Sequence, residues 1–89
     1  MFVANEHIVW RENEGKFVLL NSSNGHYYTV NATGSFLWKC MIENQMSLDE
    51  AIKQIHTRFD NLPEPQTIKE DFTQMLEKWK LESLIQIKP

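Results

Sequence analysis

The hydrophobic pattern of the chain changes its period near Asn31, and this change constrains the fold more than any other feature. Before Asn31, short segments rich in β-branched and aromatic residues are separated by turn signals, a pattern typical of antiparallel strands. After it, apolar residues recur at helical spacing, beginning at Phe36 and Leu37. The pattern therefore predicts strands first and helices second. The three predicted strands span residues 7–11, 16–21 and 26–31.

Turn signals predict how the strands connect. The segment ENEG, which ends in Gly15, predicts a tight turn between the first two strands. The Asn24-Gly25 pair predicts a second turn before the third strand. Short turns join antiparallel neighbours, so we expect a meander with the second strand in the middle.

Capping signals predict three helices. Asn31 or Thr33 can cap the first helix, and capping-box patterns that begin at Ser47 and Thr67 open the second and third. The closing LIQIK segment predicts a short extended tail. The expected fold is α+β and resembles a winged helix-turn-helix, with a three-stranded antiparallel sheet followed by three helices.

Length and charge limit the classes of function. With 89 residues, the chain is one domain, residues 1–89, and its net charge of −3 gives no basic surface for nucleic acid or an anionic membrane. A single cysteine excludes an internal disulfide and fits a reducing compartment. No apolar run approaches the roughly 20 residues that cross a bilayer, and the N-terminus lacks a secretion signal. We therefore expect a cytoplasmic protein.

No segment has the pattern of an active site or a metal centre. The three histidines and Cys40 lie in unrelated segments and lack the spacing of zinc ligands. Cys40 occupies a helical position among apolar residues, which favours a buried thiol over a nucleophile. The three glycines are isolated, so there is no phosphate-binding loop. We expect a protein without enzymatic activity, cofactor or metal.

The third predicted strand is an edge of the meander and lacks the residues that usually protect an edge. Edge strands expose unpaired N–H and C=O groups, which soluble proteins guard with lysine, proline or a bulge. The segment YYTVN, residues 27–31, contains no lysine or proline, whereas charged residues bracket the first strand. This asymmetry predicts that the third strand pairs with an added peptide strand.

The predicted binding site combines this strand with one face of the third helix. The strand would pair chiefly through its backbone, while Phe72, Met75 and Trp79 would supply apolar contacts. Their helical spacing is also typical of core residues. Asp71 or Lys78 would orient a charged peptide residue at the rim. The candidate peptide-binding residues are Tyr27, Tyr28, Thr29, Val30, Asp71, Phe72, Met75, Lys78 and Trp79.

The segment GHYYTVNATGSFLW, residues 25–38, resembles the signature of the PqqD family. In that signature a Gly-x-Tyr-x-x-Leu-Asn-x-Thr-Gly run leads into a helix with a tryptophan. Residues 47–52 and 71–85 are similar to the family's second helix and to its third helix with the closing leucine segment. The resemblance covers about residues 7–87. Val30 stands where leucine is commoner, and Ser83 where glycine is usual.

The resemblance implies a RiPP recognition element, which is a stand-alone protein of ribosomal peptide biosynthesis. Such a protein binds the leader segment of a precursor peptide and presents it to a leader peptidase or another modifying enzyme. In this family the leader adds as a strand to the third strand and lies beside the third helix. The YYTVN strand and the Thr-Gly pair resemble the members that serve lasso peptide pathways.

Two other interpretations remain open from the residues alone. A winged-helix transcription regulator would bind DNA, although the third predicted helix carries as many acidic as basic residues. A structural protein would use the unprotected edge to form a dimer.

Overall fold

The computed structural model describes residues 2–59 and 61–88, and the order of its elements confirms the predicted α+β fold. Within these residues the strands are β1 (Phe2–Ala4), β2 (Ile8–Asn13), β3 (Lys16–Asn21), β4 (Tyr27–Thr29) and β5 (Ile85–Ile87). The helices are α1 (Ala32–Trp38), α2 (Leu48–Arg58) and α3 (Pro65–Leu81). A π-helical segment, Lys39–Glu43, extends α1.

The predicted meander is the antiparallel sheet β2-β3-β4, with β3 in the middle. Its register places Leu19 of β3 between Trp10 of β2 and Tyr28 of β4. β4 is shorter than the predicted third strand. The extended tail is also confirmed, since β5 pairs antiparallel with β1 in a separate two-stranded sheet. β1 was not expected from the sequence.

The capping signals predict two of the three helix starts. The Asn31 side chain accepts a hydrogen bond from the Gly34 amide at 2.8 Å, which caps α1. Ser47 and Glu50 form both bonds of a capping box at the start of α2.

The predicted start of α3 at Thr67 is wrong. The helix begins at Pro65, and its N-cap, Glu64, makes no side-chain capping bond. Proline suits the first helical position because its φ is already helical. An N–H group at this position would have no partner within the helix, so its absence costs no hydrogen bond. Proline therefore starts this helix without a capping box.

The hydrophobic core lies between the helices and one face of the three-stranded sheet. Phe17 and Leu19 of β3 are fully buried, as is Trp38 of α1. The Trp38 ring packs edge-on between Trp10 and Trp79, with both centroid distances at 5.4 Å. This aromatic row joins the sheet, α1 and α3. None of the helices in the described residues has the length and hydrophobicity of a membrane span.

A buried hydroxyl ties α1 to the sheet. The Phe17 amide donates to Ser35 Oγ at 2.9 Å, and Ser35 Oγ donates to the Val30 carbonyl at 3.1 Å. Val30 in turn donates its amide to the Phe17 carbonyl at 2.9 Å. The Ser35 hydroxyl thus replaces one direct bond of the ladder and fixes the backbone at the end of β4.

We expect Ser35→Ala to destabilise the protein. The change leaves a buried N–H and a buried C=O without a partner, which costs about 1–3 kcal/mol of unfolding free energy. Urea denaturation followed by circular dichroism measures the loss. Ser23→Ala, at an exposed turn position, is the control and should stay within about 0.5 kcal/mol of the wild type. Equal stability of the two variants would contradict the bridging role of Ser35.

Candidate functional site

In the described part of the chain, β4 is hydrogen-bonded along one side only. Within residues 2–59 and 61–88 its partner is β3, and no strand lies on its outer side. The C-terminal tail, which could have covered this edge, pairs with β1 instead. Among the residues that the structure describes, the unprotected edge inferred from the sequence is therefore open.

The hydrogen bonds at the two ends of β4 show which backbone groups face outwards. The Val30 amide donates to Phe17, and the His26 carbonyl accepts from Asn21, each at 2.9 Å. Backbone direction alternates along an antiparallel strand, so residues 26, 28 and 30 face β3. The N–H and C=O groups of Tyr27 and Thr29 therefore point away from the sheet and are free to bond an added strand.

A groove of about 490 Å³ runs between the open edge of β4, the start of α1 and one face of α3. The apolar side chains of Met75 and Trp79 form the floor of the groove. Charged side chains from α3 and the turn after it also line the groove. The lining residues are Tyr28, Thr29, Val30, Asn31, Gly34, Asp71, Gln74, Met75, Lys78, Trp79, Glu82 and Leu84.

The two faces of α3 have different roles. Ile68, Phe72 and Leu76 are buried against the core. Asp71, Met75 and Lys78, which are spaced along one side of the helix, face the groove. Trp79 lies at the boundary, because it lines the groove although only 6% of its surface is exposed.

The structure brings seven of the nine predicted residues together in the groove. These are Tyr28, Thr29, Val30, Asp71, Met75, Lys78 and Trp79. The Tyr27 side chain is 71% exposed and lies on the opposite face of the sheet, so this residue can contribute only its backbone at the edge. Phe72 is 1% exposed, belongs to the core and does not line the groove.

Sequence reasoning missed five lining residues: Asn31, Gly34, Gln74, Glu82 and Leu84. Gly34 had a detectable signal, since glycine is unfavourable inside a helix. A Cβ atom at Gly34 would lie 2.6 Å from Val30 Cγ1 and 3.2 Å from Met75 Sδ. The glycine therefore lets α1 approach β4 and the groove floor closely.

Titratable groups in the described part of the chain form no centre that would hold a metal. No group of three or more His, Cys, Asp or Glu residues there converges on one point. Burial raises the pKa of the Cys40 thiol, against the weaker opposing effects of Arg58 and Lys39. A raised pKa keeps this thiol protonated at neutral pH, the unreactive form.

Comparisons with solved structures identify two that share this fold over nearly their whole length. TbiB1 in complex with the TbiA(beta) leader peptide has a TM-score of 0.83 at 20% identity, with 97% of this chain and 96% of that chain covered. Lasso peptide synthetase B1 complexed with the leader peptide has a TM-score of 0.84 at 15% identity, with 97% and 98% covered. A comparison with curated protein sequences gave no match.

The family model for coenzyme PQQ synthesis protein D, PqqD, matches residues 16–85. This range includes β3, the open strand β4 and all three α-helices, and therefore both walls of the groove. The chain belongs to the PqqD family.

Proposed function

We propose that this protein binds the leader segment of a ribosomally synthesised precursor peptide by β-strand addition to β4. It then presents the bound peptide to a processing enzyme, such as a leader peptidase or another maturase. The observation that carries the proposal is the free outer edge of β4 beside the groove. An extended peptide needs such an edge for its backbone and a neighbouring groove for alternate side chains.

The two parts of the site would contribute differently to binding. Outward-facing backbone groups at Tyr27 and Thr29 offer up to two donors and two acceptors, each bond adding about 1 kcal/mol net. These bonds are independent of the peptide's sequence. The groove floor at Met75 and Trp79 would bury apolar peptide side chains and so select among sequences.

Family membership and structural likeness support this reading. The two similar structures are, by name, B1-type proteins in complex with leader peptides. The name of the second also favours lasso peptide biosynthesis over the other pathways that the family serves. We infer that the protein acts as a non-catalytic peptide chaperone. The DNA-binding alternative gains no support, because the charged residues of the groove are two acids and one lysine.

We expect Thr29→Pro to abolish peptide binding without unfolding the protein. The Thr29 amide faces outwards, so proline removes a donor for the added strand but no bond of the β3–β4 ladder. Fluorescence polarisation with the labelled leader of the cognate precursor should show at least about a tenfold loss of affinity, the equivalent of about 1.4 kcal/mol.

Thr29→Ala is the matched control, because it shortens the same side chain but keeps the N–H group. It should bind the leader within about twofold of the wild type, since surface changes of this kind cost little. Both variants should retain the far-UV spectrum of the wild type. Full affinity in a folded Thr29→Pro protein would refute strand addition at β4.

We also expect Met75→Ala to weaken leader binding by about fivefold or more, because it removes apolar contact area from the groove floor. Leu81→Ala is the control on the same helix, since Leu81 is 85% exposed and does not line the groove. Isothermal titration calorimetry with the same leader peptide measures the affinity of each variant. Equal affinities would show that the peptide does not reach the groove.

A further inference from the structure

Three charged side chains line the groove in a row. Asp71, Lys78 and Glu82 lie seven and four residues apart, which places them on one face of α3 and its C-cap. Within residues 2–59 and 61–88 none of them forms a salt bridge. Elsewhere on α3, Lys69 does pair, with Asp49 at 3.9 Å. The charges of the groove are therefore available to a bound molecule.

Contacts at the two ends of the groove fix the order of these charges relative to β4. Leu84, just after α3, accepts a bond from Asn5 at the end of the sheet where β2 and β4 begin. Met75, near the middle of α3, lies beside Gly34, which follows the end of β4. α3 thus runs antiparallel to β4. Glu82 lies near the start of β4, Asp71 lies beyond its end, and Lys78 lies between them.

The length of this row suits a short extended peptide. At 1.5 Å per residue, Lys78 is about 6 Å from Glu82 along the helix axis and about 10 Å from Asp71. The total of about 16 Å equals about five residues of an extended strand. The apolar floor at Met75 and Trp79 lies within the same span.

We propose, building on the function proposed above, that the groove selects peptides by charge order. The preferred segment carries a basic, an acidic and a second basic residue along the groove, together with an apolar side chain for the floor. Its acidic residue lies near Lys78, and its basic residues lie near Asp71 and Glu82. The order basic, acidic, basic is the same from either end of the peptide. The prediction therefore applies to a peptide that runs parallel or antiparallel to β4.

These charges serve specificity more than affinity. Each pair at a partly exposed groove adds little binding energy, but a like charge in its place is repelled. Strand hydrogen bonds at β4 accept any sequence, so the groove charges are the part of the site that can reject a wrong peptide. The effect weakens as salt concentration rises.

A displayed library of random peptides tests the proposal without a known leader. Peptides of about 12 residues exceed the groove, which spans about five extended residues. The library is selected on the wild-type protein, on Lys78→Glu and on Lys80→Glu. Lys80 is the matched control, because it lies on α3 and is exposed but does not line the groove. Each selection is counter-screened against Thr29→Pro, so that only peptides that need the β4 edge are scored.

The wild type and Lys80→Glu should enrich peptides with an acidic residue between two basic ones. Lys78→Glu should enrich peptides with a basic residue at the central position. A synthetic peptide from the wild-type selection should bind Lys78→Glu about fivefold more weakly, and its central charge reversal should restore affinity.

Two negative outcomes are distinguishable. Peptides that depend on Thr29 but show no change of central charge between the wild type and Lys78→Glu would overturn the charge order and leave strand addition intact. A library that yields no peptide dependent on Thr29 would overturn the proposed function, and the charge order with it.

Discussion

One-sided hydrogen bonding of β4 is the constraint on which the rest of the site depends. The strand contains three residues, and its inward groups are satisfied by β3. Beyond its end, the Ser35 hydroxyl completes the bonding of Val30 from within the core. The inward backbone groups at this end of the sheet are therefore paired, and the outward groups of Tyr27 and Thr29 lie at the surface, where water satisfies them. The edge can therefore remain open at little cost to stability.

α3 connects the groove beside this edge to the core. One of its residues, Trp79, contacts both. Phe72 and Leu76 fix the helix against the sheet, while Met75 and Lys78 face the groove. Trp79 belongs to both faces, since it lines the groove and also packs on Trp38. The groove wall is thus held by the same packing that stabilises the fold, so a peptide bound as proposed would meet a preformed surface. Preformed sites lose less conformational entropy on binding.

The sequence predicts the sheet order, the open edge and most of the groove, because these follow from local patterns. Alternation and turn residues locate β3 and β4, and the lack of guarding residues marks the edge. Phe72 faces the core and not the groove for a physical reason. Phe72 and Met75 are both apolar and three residues apart, and only the rotation of α3 about its own axis, which tertiary packing sets, decides which of them faces the core.

Other features depend on contacts between distant segments. β1 has three residues and gains its partner from the opposite end of the chain, so no local pattern identifies it. In the sequence, Glu82 resembles an ordinary exposed acid at the end of a helix. Only the position of α3 beside β4 shows that Glu82 lines the groove. On the α3 side of the groove, helical spacing was therefore enough to predict Met75 and Trp79 but not to find Gln74 and Glu82.

The shortness of β4 also bears on what can bind there. Two outward-facing residues offer few hydrogen bonds, and isolated strand pairs of this length are marginal in water. In a dimer paired through β4, a second copy of the chain would bring an equally short edge. Its own α3 would also lie close to the α3 of the first copy. An extended peptide bound as proposed would instead lie between β4 and α3 and use the edge and the groove floor together. The combination of a minimal edge with an adjoining groove wall therefore favours a peptide over self-association.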